Sequence, residues 1–127
     1  MISLSGLHAR QRRFIAQVIA STASSREKQL EYLEYETEHM LTIPDGYINC
    51  MIQKAWEKLS ETEQRVLDLR YRVLNNFGQR SLSYEEIGKQ IRWKPKKVLR
   101  IKATAMSKVH PCLAEMIRDY SSETNFQ

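Results

Sequence analysis

SYEEIGKQIRWKPKKVLRIKATAMSKV, residues 83–109, is the stretch on which the reading of this chain turns. Ser83 and Glu86 stand in the S-x-x-E order of a capping box, where a serine oxygen and a glutamate carboxylate satisfy orphan amides at a helix start. The pattern predicts a short helix over 84–91 that buries Tyr84, Ile87 and Ile91. Trp93-Lys94 then reads as a tight turn. Pro95 suits a first helical position, because the N–H it lacks would have no helical partner there. A second helix is expected over 95–109, with Val98, Ile101, Ala105 and Val109 on one apolar stripe. Pro111 limits its continuation, and Leu113 to Tyr120 reads as a restart into a short terminal helix.

The same punctuation extends upstream. Ser60-Glu61-Thr62-Glu63 is another capping box, opening a helix over 61–74 with Val66, Leu67, Tyr71 and Leu74 inward, and 75–80 is loop. Pro44-Asp45-Gly46 is a turn signal ahead of a helix over 47–58 carrying Ile48, Ile52, Ala55 and Leu59. Gly6 leads into a helix over 7–22, whose Leu7, Phe14, Ile15, Val18 and Ile19 recur at helical spacing, and Ser21 to Ser25 breaks it. A helix over 25–41 follows. Its stripe of Leu30, Leu33, Met40 and Leu41 reads as intramolecular core or as a dimer seam. Glu27, Glu31, Glu34, Glu36 and Glu38 flank the stripe, and Tyr32 and Tyr35 are interleaved. Trp56 reads as core and Trp93 as packing under the turn or, if exposed, as a contact for a protein partner. No stretch sustains the period-two alternation of a strand, so the fold class is all-α: a helical N-terminal segment over 1–58, a helix pair within 59–111, and a partly helical tail over 112–127.

Charge is segregated along the 127 residues. Of the net +5, residues 1–25 carry +3, 26–63 carry −5, 64–110 carry +9 and the tail −2. Seven Lys or Arg residues and no acid fall within 92–108, the footprint of a site for a polyanion. Other chemistry finds little support. Cys50, Cys112, His8, His39 and His110 are scattered, without the spacing of a disulfide framework or zinc site. Glu85-Glu86 is explained by capping and by the helix dipole. There is no phosphate-cradling glycine loop and no nucleophile elbow. No catalytic residue, metal or cofactor is therefore expected, nor enzyme activity. No run of eighteen apolar residues occurs, and a short apolar N-terminal patch followed by Arg10, Arg12 and Arg13 is the reverse of a signal peptide. The expected location is the cytosol, without a membrane partner.

Two helices joined by a tight turn, the second cationic on the face away from its apolar stripe, fit a DNA-binding helix-turn-helix. The wheel turns Lys96, Lys97, Arg100 and Thr104 outward as base-facing candidates. Arg100 has the fork that suits guanine O6 and N7. Ser83 with the free amides beside it, Arg92 and Lys94 at the turn, and Lys102 and Lys108 along the helix are the candidates for backbone phosphate.

Leu59 to Pro111 resembles region 4 of bacterial sigma factors. The resemblance rests on Val66-Leu67-Asp68-Leu69-Arg70-Tyr71, on Ser83-Tyr84-Glu85-Glu86-Ile87-Gly88, and on the run from Lys97 to Val109. It implies a domain that reads a promoter's upstream hexamer with its second helix and touches the flap of RNA polymerase. Pro95, Lys96 and Arg100 fall where that family contacts bases, and Leu99 where it often has a phosphate-binding arginine. Pro95 and Leu99 replace polar contacts, Lys96 replaces an acid, and Arg92 replaces the customary turn glycine, which separates this chain from the usual hexamer. The remaining residues are too few for the promoter-melting regions. The layout is similar to small phage late transcription regulators of the ArpU and RinA type, which implies a phage- or prophage-encoded protein of the bacterial cytosol. Expected partners are double-stranded DNA, RNA polymerase core and a second copy in a homodimer. A sigma-mimicking module that binds polymerase or a sigma partner without reading DNA is the alternative.

Overall fold

The serines and prolines that punctuate the sequence set the helix boundaries. In the computed structural model, which describes residues 4–21, 25–74 and 76–125, the order is α1 (Leu4–Ala20), α2 (Arg26–Met40), α3 (Asp45–Trp56), α4 (Glu61–Tyr71), α5 (Tyr84–Ile91) and α6 (Pro95–Asn125). No strand occurs among the described residues. Ser25 caps α2 by accepting from the Lys28 amide. Ser60 and Ser83 head complete capping boxes with Glu63 and Glu86, as expected. Met1 to Ser3, residues 22–24 within the expected Ser21 to Ser25 break, Asn75, and the side chains of Tyr35 and Glu36 lie outside the described residues.

Besides Asp45 and Gly46, which open α3 instead of forming a turn ahead of it, three boundaries differ from expectation. Gly6 lies inside α1 rather than ahead of it. α4 stops at Tyr71 instead of reaching 74, because Arg72 turns left-handed (φ 53°, ψ 56°) and its buried side chain donates from Nε to the Arg80 carbonyl at 3.1 Å. The third difference is at Pro111, which does not end its helix: α6 runs unbroken for 31 residues. The missing N–H leaves one helical bond unmade, and it does so on the exposed side of the helix, where water can solvate the freed carbonyl. On the opposite side Leu113 is fully buried, Met116, Ile117 and Tyr120 pack against the core, and the Tyr47 hydroxyl donates to the Met116 carbonyl at 2.6 Å. Packing outweighs the local preference for a break.

A large core joins Phe14, Ile15 and Val18 of α1, Ile48, Met51 and Ile52 of α3, Leu67 of α4, and Ala105, Met106, Val109 and Leu113 of α6. A smaller one gathers Val66, Leu82, Ile87 and Val98, flanked by Tyr84, Ile91, Trp93 and Ile101. α6 is a wall of both. Two polar residues tie the large core together. Buried Gln11 donates from Nε2 to Asn49 Oδ1 and to the Val73 carbonyl, and Arg12 spans the α2–α3 connection, donating to the Met40 and Ile43 carbonyls and to Asp45.

The stripe expected on α2 is split. Met40 is buried and Leu33 packs against the core, but Leu30 and Leu41 are 58% and 70% exposed. At 100° per residue, Leu33 and Met40 point one way while Leu30 and Leu41 lie about 60–100° round the helix, and only the first pair meets the core. No described helix is long and apolar enough to cross a membrane.

Candidate nucleic-acid interface

α5 and α6 meet at a turn built by three residues with separate duties. Gly88 is buried, and the Trp93 carbonyl comes so close that a Cβ built on Gly88 would lie 2.3 Å from its oxygen. The Trp93 amide closes the turn by donating to the Gly88 carbonyl at 2.8 Å. Arg92 supplies the reversal with φ 60° and ψ 43°, the left-handed conformation in which glycine is at ease and a side chain costs about 1–2 kcal/mol. Pro95 opens α6, and the Lys94 carbonyl accepts from the Lys97 and Val98 amides. Val98 is fully buried, and with Ile87 and Val66 it locks α5 and α4 against α6. Ile101, expected inward, is half-buried at the edge of this small core, as are Tyr84 and Ile91.

That seating leaves one ridge of α6 in solvent. Lys96, Leu99, Arg100, Ala103, Thr104 and Ser107 are all exposed on it, and Lys97 beside it rests its Nζ 4.1 Å from the centroid of the Trp93 ring. All four base-facing candidates, Lys96, Lys97, Arg100 and Thr104, are thus together and accessible. Lys97, Arg100 and Thr104 also line a groove of about 350 Å³ closed on its far side by Ser60, Thr62 and Glu63 at the start of α4.

The phosphate candidates divide. Arg92 and Lys94 are exposed at the turn. The Ser83 hydroxyl accepts from the Glu86 amide at 3.2 Å, so its oxygen is engaged by the cap itself. Lys102 is half-buried on another side of α6, with Nζ 5.7 Å from the Tyr84 ring, and does not join the ridge. Lys108 departs furthest from expectation. Its Nζ binds Glu63 Oε1 at 2.8 Å, so its charge is already met within the fold. Burial pushes the Glu63 carboxyl up, but the Lys108 bond and the Ser60 amide outweigh it and hold the group below its ordinary value.

Two features were not visible in the sequence. Arg80 makes a forked pair with Glu86, which together with the Ser83 amide draws the Glu86 carboxyl down to about 2. That pair sits beside the α5 N-terminus and keeps Glu86 charged across the neutral range. Arg70 donates to the Leu82 carbonyl at 3.1 Å and covers the Tyr84 ring at 4.7 Å, fastening the loop before α5 to α4.

No cluster of three or more His, Cys, Asp or Glu suited to a metal ion occurs among the described residues. Cys50 and Cys112 are free thiols. Compared with family profiles, curated proteins and solved structures, the chain matches none.

Proposed function

We propose that this chain is a sequence-specific DNA-binding regulator of transcription, sigma-like in its helix-turn-helix, which lays the exposed ridge of α6 in the major groove and also contacts RNA polymerase. The observation that carries the reading is the ridge itself: Lys96, Lys97, Arg100 and Thr104 share exposure on the first turns of a helix whose opposite face is locked to α5. An acid-free run of cations at a helix start suits base edges and the phosphates beside them. Arg100 is the base reader in this arrangement, while Arg92 and Lys94 serve the backbone. Lys108, held by Glu63, contributes little.

The test is selection of bound sequences from random duplex DNA, with and without purified polymerase, followed by titrations at several salt concentrations. With about four to six phosphates neutralised, log K should fall against log salt with a slope of roughly −3.5 to −5.5. Arg100→Ala should cost about 1–3 kcal/mol on the selected site and much less on random DNA. A slope near zero removes the reading. One observation favours the sigma-mimicking alternative: Leu99 is 42% exposed in the middle of the ridge, an apolar contact more suited to a protein surface than to phosphate. Selection that enriches no sequence, with polymerase still bound, would establish that alternative.

A further inference from the structure

A second group of cations outside the ridge lies where Phe14 of α1 meets Tyr71 of α4. Arg10 and Arg13 of α1, Arg70 and Tyr71 of α4, and Ser81 from the loop before α5 surround a dent of about 250 Å³ floored by Phe14. Its base is rigid, since Phe14 is 1% exposed and its ring lies 4.9 Å from that of Tyr71. Arg10 Nη1 donates to the Ser81 hydroxyl at 3.3 Å, and Arg70 is steered by the Leu82 carbonyl and the Tyr84 face. These contacts fix where two of the guanidinium groups stand without neutralising either. Among the described residues, none of the three arginines in the dent forms an ion pair with a carboxylate, unlike Arg12 with Asp45 or Arg80 with Glu86. Past Arg70 and Tyr71 the dent opens into a wider cleft of about 420 Å³ bordered by Arg26 and Lys102, and among the described residues no acid lines either hollow.

We propose that this dent is an anion site for a phosphate group, held by the guanidinium groups of Arg10, Arg13 and Arg70 and by the Ser81 hydroxyl. Three like charges around one concavity repel one another, and a phosphate turns that repulsion into attraction. Guanidinium forks match the tetrahedral oxygens of phosphate in pairs, which spherical halide ions cannot exploit. Ser81 accepts from Arg10 and retains its own O–H to donate to the anion. The wider cleft gives a second phosphate, as in a polyphosphate or a nucleic-acid strand, a place beside Arg26 and Lys102. The site is built from α1, α4 and the loop before α5 and does not depend on the ridge of α6.

The experiment is a thermal-shift titration of the full chain with sodium pyrophosphate, compared with sodium chloride at matched ionic strength. Ligand that binds only the folded state raises the melting temperature with its concentration. Pyrophosphate should therefore raise it and chloride should not. Arg13→Gln is the decisive variant, because Arg13 is exposed and among the described residues no hydrogen bond or ion pair holds it, so its loss should leave the unliganded melting temperature unchanged. Its pyrophosphate dissociation constant should rise about tenfold or more, the loss of one charge-assisted contact. Arg118→Gln, at an exposed arginine far along α6, should titrate like the parent. Two arms identify the source of the phosphate while upholding the site. Suppression of the pyrophosphate shift by a bound random duplex assigns it to nucleic-acid backbone, and a shift that persists beside duplex and is reproduced by ATP assigns it to a free nucleotide. A parent that responds to pyrophosphate no more than to chloride, or an Arg13→Gln variant with the parent's dissociation constant, overturns the proposal. Failure to bind duplex at all would remove the DNA reading and leave the phosphate titration standing.

Discussion

Replacing Gly88 by alanine adds one methyl group where the backbone has left no room. The new Cβ would stand 2.3 Å from the Trp93 carbonyl oxygen and 3.5 Å from its carbon, so the turn must retreat by about 1 Å before the contact becomes tolerable. That retreat pulls on the 2.8 Å bond from the Trp93 amide to the Gly88 carbonyl and moves Pro95, whose nitrogen lies 3.7 Å from the added atom. Overpacking costs about 1–3 kcal/mol and the weakened bond about 0.5–1.5 kcal/mol, against a gain of about 1 kcal/mol from alanine's higher helix propensity. The net expectation is a loss of about 0.5–3.5 kcal/mol, which for a chain of this length lowers the melting temperature by about 2–14 °C. Calorimetry checks that number. Because α6 leaves the turn at Pro95, DNA affinity measured well below the transition should also fall, which loss of stability alone would not cause. A Gly88→Ala protein that melts at or above the parent's temperature would show that the Trp93 carbonyl yields freely and that close approach does not set the angle between α5 and α6.

Arg92→Gly should raise stability by about 0.5–1 kcal/mol, since glycine accepts the left-handed conformation and part of that gain is returned as backbone entropy, while binding to specific and random duplex weakens equally; calorimetry and paired titrations read both. A fragment of residues 59–127 should show no cooperative melting transition, because Leu67, Ala105, Val109 and Leu113 would lose the α1 and α3 side chains that bury them; a sharp calorimetric peak would refute this. Burial raises the Asp68 carboxyl above its unfolded value, with the Asn76 amide opposing, so its protonated form favours the fold at low pH and that contribution is lost as pH rises through the folded value. Denaturant midpoints at acidic and neutral pH should therefore show Asp68→Asn gaining on the parent as pH rises. Glu63, Glu86 and Asp45 are shifted the other way and cancel in the comparison, so a gap that moves against Asp68→Asn as pH rises would refute the assignment.

What the sequence reveals and what it hides divide by distance along the chain. Both capping boxes are four-residue events whose donors and acceptors are fixed by local backbone geometry, so Ser60 with Glu63 and Ser83 with Glu86 are readable without a fold. The ridge of α6 is readable for the same reason, because a wheel fixes which residues oppose Val98 and Ala105. Lys108 and Glu63 are 45 residues apart, and Arg10 and Ser81 are 71 apart; no local pattern connects either pair, so a cation counted as free proves occupied and a cationic dent goes unseen. Pro111 errs in another way. Its local rule is sound, but the burial of Leu113 and its neighbours outweighs it. On α2 the apolar residues are real, yet they fall on two edges of the helix, and only tertiary contact decides that Leu33 and Met40 go inward while Leu30 does not.

The unbroken run of α6 makes its two ends parts of one screw. Eighteen residues separate Val98 from Met116, five turns of the helix, so the side chain seated against α5 and the one seated against the large core lie on nearly the same meridian. An insertion or deletion of a single residue between Ala103 and Ser107 rotates everything on one side of it by about 100° relative to the other. If Leu113 and Val109 keep their seats, Val98 swings out of its pocket and Arg100 leaves the ridge; if Val98 keeps its seat, Leu113 swings out of the large core. Point substitutions along this helix are therefore local events, whereas a change of length anywhere in its middle forces the chain to choose which end stays in register.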